Sequence, residues 1–178
     1  MKKTLLIIGL IVVLGAGLYL SRTPTSSLKN PEFDGRNSSF TIDNQTVNLV
    51  NGVSEQEAAP GSLSKVTTRY FGNEAKGDLT FDGKDDVAFL VTQSTGGTGV
   101  FYYVVVAVAT DTGYKTTNAF FVGDRIAPQS TEIHADSGEL HVNFATRKDG
   151  EPMTAQPSQG AVLLLKVTKD GALEGLMK

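Results

Sequence analysis

Between Gly77 and Asp86 the chain reads GDLTFDGKDD, with acidic or hydroxyl side chains at Asp78, Thr80, Asp82 and Asp86. These are positions 1, 3, 5 and 9 of a loop that has Gly83 at position 6. A hard cation such as calcium takes about six to eight oxygen ligands, and a tightly wound loop can turn alternate side chains to one side while a glycine permits the bend. Asp78, Thr80, Asp82 and Asp86 are the expected side-chain ligands, and Lys84 would add its carbonyl oxygen. Position 12 is Phe89 and not glutamate, so no EF-hand is expected. The same residues also make a plain acidic turn with Asp82-Gly83 at its tip, and both readings stay open.

The pattern resembles the calcium loops of FG-GAP and related β-repeat modules, in which an Asp-x-Asn/Asp-x-Asp-Gly-x-x-Asp run leads directly into a strand, as GDLTFDGKDDVAFLV does here. The likeness spans residues 77–91. Thr80 stands where those modules carry Asn or Asp, Phe81 stands where a small residue is common, and there is one copy where a propeller needs several.

Other chemistry-bearing residues are sparse. Asp124 and Arg125 in GDRIAPQS, and Arg147 and Glu151 in ATRKDGEPMT, are charged residues in proline-bearing segments. They either brace loops as ion pairs or line a polar binding site. His134 and His141 flank Asp136-Ser137-Gly138, so a hairpin would bring them together, as solvated side chains or as a metal-chelating pair. Ser94 to Gly99 is glycine-rich, but it lacks the Lys-Ser/Thr of a phosphate loop and leads into a strand. No Gly-x-Ser-x-Gly is present, and no carboxylate pair can be assigned acid and base roles from spacing. No enzyme is expected on these grounds.

These residues must be positioned by short strands. Segments rich in β-branched and aromatic residues recur at 39–43, 46–50, 65–71, 86–93, 99–109, 114–122, 130–135, 139–144 and 161–167, separated by Gly, Asp and Asn. About nine strands with tight turns at Asp43-Asn44-Gln45, Asp111-Thr112-Gly113, Asp136-Ser137-Gly138 and Asp170-Gly171 imply an all-β, antiparallel sandwich or partly closed barrel. Val100, Tyr102, Val104, Val106 and Val108 alternate with Phe101, Tyr103, Val105, Ala107 and Ala109. This strand is apolar on both faces and should be covered on both. Residues 54–64 and 148–160 read as long strand-poor loops, places where function often resides.

The head of the chain is different. Lys2 and Lys3 precede an uncharged apolar run from Leu5 to Leu20. As a helix, residues 4–20 would extend roughly 26 Å, close to the thickness of a bilayer core. Residues 1–20 therefore read as an N-terminal membrane anchor, or alternatively a cleaved signal. The leading lysines place the rest of the chain outside the cytoplasm, either single-pass in the cell membrane or secreted or periplasmic after cleavage. Residues 21–38 read as a flexible linker, and 39–178 as an extracytoplasmic β domain.

TTRYFGNEAKGD, GTGVFYYVVVA, GDRIAPQ and GEPMT together make the chain similar to exported bacterial proteins of uncharacterised function that carry an N-terminal apolar anchor. Some of those carry a further domain similar to the membrane-bound inhibitors of c-type lysozyme.

Setting the head aside removes two of the 16 basic residues and none of the 19 acids, so the remainder carries a formal charge of −5. That balance disfavours nucleic acid and anionic membrane surfaces as partners. The absence of cysteine excludes disulfides, thiolate metal sites and a lipidated cysteine. The expected function is a membrane-tethered binding or structural domain of the cell envelope, with calcium as its candidate stabilising ion and an envelope protein as its candidate partner. The alternative is an inhibitor or accessory subunit of a cell-wall enzyme such as a lysozyme, with loop 148–160 in the target's cleft.

Overall fold

The computed structural model describes residues 32–176, so the expected apolar head and most of the expected linker lie outside the described residues. Among the described residues no helix is long and apolar enough to cross a membrane. The described residues all belong to one compact unit. Residues 32–38, read from composition as linker, are packed: a 3-10 turn at Gly35–Asn37 is capped by Asp34, and Phe33 stacks on Phe89 and Tyr114 at centroid distances of 5.6 and 5.2 Å. One aromatic side chain is enough to dock a segment that otherwise looks like a tether.

The described chain is all-β, and every pairing between named strands is antiparallel. Strands β1 (Ser39–Ile42) and β2 (Gln45–Asn48) form a hairpin whose turn residues, Asp43 and Asn44, both have positive φ, 48° and 64°. Asp and Asn tolerate that region, which a two-residue hairpin turn of this kind requires. Strands β3 (Val53–Glu57), β4 (Lys65–Gly77), β5 (Asp86–Ser94), β6 (Phe101–Ala109) and β7 (Tyr114–Thr116) form a second sheet in that order, with β8 (Phe120–Asp124) also paired to β6. The third sheet has the order β12 (Leu173–Gly175), β11 (Gln159–Val167), β10 (Glu139–Thr146), β9 (Ala127–His134). None of these sheets closes on itself, so the expected barrel alternative is not realised.

The doubly apolar strand is central, as its composition requires. Val104 and Val106, with Ala88 and Leu90 of β5, pack on Leu140, Val142 and Phe144 of β10 and Leu165 of β11. On the opposite face Tyr103 and Val105, with Phe89 and Val91, pack on Phe40, Ile42 and Val47 of the first hairpin and on Leu49. One side is thus covered by a second sheet and the other by a hairpin. Each fully buried Val, Leu or Phe contributes roughly 1.5–3 kcal/mol relative to exposure, and this doubly covered strand pair holds many of them.

The described residues contain twelve strands where the sequence pattern gives about nine. β3, with the sequence VSEQE, falls in a segment read as a loop; as an edge strand it is solvated and carries no apolar alternation. The segment 114–122 divides into β7 and β8 around Thr117, whose hydroxyl accepts a hydrogen bond from the Val106 N–H at 3.1 Å. β12 is only three residues long.

Candidate functional site

The acidic loop joins β4 to β5, and the carboxylates of Asp78, Asp82 and Asp86 accept the chain's own N–H groups. Asp78 Oδ1 accepts from the backbone N–H of Thr80 (3.1 Å) and Asp82 (3.2 Å), and Oδ2 from Gly83 (2.8 Å). Asp82 Oδ1 accepts from the Lys84 N–H at 3.0 Å. Asp86 is fully buried and ties two segments together, Oδ2 accepting from Leu79 N–H (2.9 Å) and Oδ1 from Ala109 N–H (2.8 Å). These side chains fold the loop in the way Asx turns do, by replacing backbone acceptors.

Their titration follows from these partners. The N–H donors, Gly83 foremost, hold the Asp78 carboxyl below the usual carboxylate range. Burial pushes Asp86 up despite its two N–H donors, and the charges of Asp82 and Asp78 act in the same direction. The Lys84 ammonium sits 2.8 Å from Asp111 and 3.4 Å from Asp82, which raises the lysine and lowers Asp111. Thr80 Oγ1 is buried without a hydrogen-bond partner. Among the described residues, no group of three or more His, Cys, Asp or Glu side chains is arranged to hold a metal ion.

Of the second set of candidates, Asp124, Arg125 and Arg147 are brought together. Arg125 Nη2 is 2.7 Å from Asp124 Oδ2, and Asp124 Oδ1 also accepts from Val100 N–H at 3.1 Å. Arg147 Nη1 donates to the Arg125 carbonyl (2.9 Å) and its Nε to the Ala155 carbonyl (2.7 Å). Glu151 accepts from Lys148 N–H at 3.0 Å within the same loop. Arg125, Arg147 and Glu151 brace the 148–158 loop and the β8–β9 connection, and Asp124 ties that connection to Val100. His134 and His141 meet across the β9–β10 hairpin, with ring centroids 4.0 Å apart and His141 Nε2 2.9 Å from Glu139.

The feature absent from the sequence reading is a cavity of about 570 Å³ at one end of the molecule, between the β6–β7 end of one sheet and the β11–β12 turn of the other. Leu79, Phe81, Val108 and Val167 supply its apolar lining. Lys115, Lys166 and Lys169 also line it, and no acidic residue does. The acidic loop forms one wall, so Asp86, through Leu79 and Ala109, fixes two sides of the opening. Phe81 stands at this wall with φ of 60° and its side chain 65% exposed. A bulky residue held in that conformation costs about 1–3 kcal/mol and is concentrated at functional sites. The four contributing segments are separated by tens of residues, so no local motif marks them.

Comparison with models of protein families, with curated proteins and with solved structures finds no match.

Proposed function

We propose that this chain is an extracytoplasmic antiparallel β-sandwich domain, tethered to the cell membrane by its N-terminal apolar segment, and that it binds an envelope component in the cavity between its two larger sheets. The observation that supports the reading is the cavity itself. At about 570 Å³ it lies within the size range of small-ligand sites, roughly 300–1,000 Å³, and it combines an apolar patch with hydroxyl and lysine side chains around it. The strained, exposed Phe81 at its wall agrees with a site.

Calcium belongs to the same reading as a stabiliser of the wall at Asp78, Thr80, Asp82, Asp86 and the Lys84 carbonyl, where its binding requires Asp78 and Asp86 to share or give up the backbone N–H groups that their oxygens accept. The orphaned Thr80 hydroxyl supports it, being a buried oxygen with no partner inside the loop. Calcium at Asp82 must displace the Lys84 ammonium, so occupancy belongs to the weak range of extracellular sites, about 10⁻⁴ to 10⁻³ M.

Hydrogen exchange on the full chain in phosphatidylcholine nanodiscs, with and without a lipid extract of the bacterial envelope, tests the binding role. The expected result is slowed exchange confined to 78–83, 108–116 and 166–171. Unchanged exchange in all three segments contradicts it.

A further inference from the structure

The cavity has an electrostatic character opposite to that of the domain around it. Residues 21–178 carry a formal −5, yet three of the residues lining the cavity are lysines and none is acidic. Lys115 stands opposite Val108 in the β6–β7 register, so its stem shares the face of the apolar lining, while its head group is exposed. Lys166 and Lys169 bracket the end of β11 on the other side. Among the described residues no ion pair holds any of the three, whereas Lys84, at the neighbouring loop, is neutralised by Asp111 and Asp82. Basic groups left unpaired around an apolar hollow in an acidic protein attract a negative ligand head.

Resting on the reading of the cavity as a binding site, we infer that its ligand is a single-chain anionic amphiphile, with the acyl chain against Leu79, Phe81, Val108 and Val167 and the carboxylate or phosphate head at Lys115 and Lys169. A flat anionic bilayer is the poorer occupant. The negative domain would be repelled from such a surface, whereas one amphiphile withdrawn from it meets only the lysine rim.

The test is photo-crosslinking of the full chain in phosphatidylcholine nanodiscs with a diazirine-bearing C16 fatty acid, beside the matching fatty alcohol, with adducts mapped by peptide mass spectrometry. The acid is expected to label 78–83, 108–116 or 166–171. That labelling should fall about tenfold in K115E/K169E and stay within about twofold in the control Lys148→Glu, as loss of two rim charges implies. The alcohol should label weakly and change little in either variant. Equal labelling by acid and alcohol, insensitive to K115E/K169E, overturns the anionic head and leaves the binding cavity standing. Labelling of neither kind in the cavity segments overturns both, circular dichroism having shown the variants to be folded.

Discussion

The ring of Phe81 lies so close to Gly138 that a Cβ added at position 138 would come within 2.7 Å of its Cε2 atom and 2.8 Å of Cζ. Gly138 itself has φ of 66°, a region that disfavours any side chain. The β9–β10 turn and the acidic loop therefore meet through an aromatic ring on a bare backbone, and this contact sets where Phe81 stands at the cavity wall.

Gly138→Ala is accordingly expected to destabilise the chain by about 2–3 kcal/mol, of which about 1–2 reflects the left-handed backbone. The remainder is the clash with Phe81. In a Phe81→Ala background the cost should fall by about 1 kcal/mol, a coupling read from a double-mutant cycle in urea. Additivity would mean that the ring does not rest on the glycine.

Asp86 has no exposed alternative for its two N–H partners. Asp86→Asn keeps one acceptor oxygen and turns an amide NH₂ toward the other donor, leaving a buried N–H unsatisfied. The expected loss is about 2–3 kcal/mol in urea denaturation. Exchange of the Leu79 or Ala109 amide should accelerate more than that of amides in β10. A loss below about 0.5 kcal/mol would contradict the bridging role.

Asp78 and Asp86 give acid dependences of opposite sign. The depressed Asp78 contributes stability that is present above the ordinary carboxyl range and is lost as pH falls through its folded value. The elevated Asp86 binds a proton more readily folded than unfolded, so its effect is a fall in stability as pH rises from the ordinary value through the raised one. Urea midpoints measured from about pH 3 to 6 should show a shallower acid loss in Asp78→Asn, and a steeper net rise with pH in Asp86→Asn. Superimposable slopes in the variants and the parent chain would refute the assignment.

Lys84 competes with any cation for Asp82, from which its ammonium lies 3.4 Å. Millimolar calcium against chelator should therefore raise the melting midpoint more in Lys84→Ala than in the parent, and not at all in Asp82→Ala. No calcium response in either the parent or Lys84→Ala removes calcium from the account.

Much of the scaffold was legible because it rests on local signals. The two apolar faces of β6 identified the central strand, and Asp43-Asn44 and Asp136-Ser137-Gly138 marked turns through residues that tolerate positive φ. β3 was hidden because a solvated edge strand such as VSEQE has no face to bury. Phe33 was hidden because a single docking aromatic leaves no period. The acidic loop was visible as a motif, but spacing does not show whether its oxygens turn toward a cation or, as with Asp78 and Asp86, toward N–H groups. The cavity was illegible for a topological reason: Leu79, Val108, Gly138 and Val167 adjoin only once two sheets are laid against each other.

The absence of cysteine allows the central claim, that this cavity takes a ligand, to be tested at a single atom. Val108→Cys in the full chain places one thiol in the lining and Thr95→Cys places one on an exposed loop, so reaction rates with a small maleimide can be compared in phosphatidylcholine nanodiscs before and after addition of envelope lipid extract. The account predicts that the extract slows labelling of Val108→Cys several-fold and leaves Thr95→Cys unchanged, whereas equal rates with and without extract at Val108→Cys would contradict it.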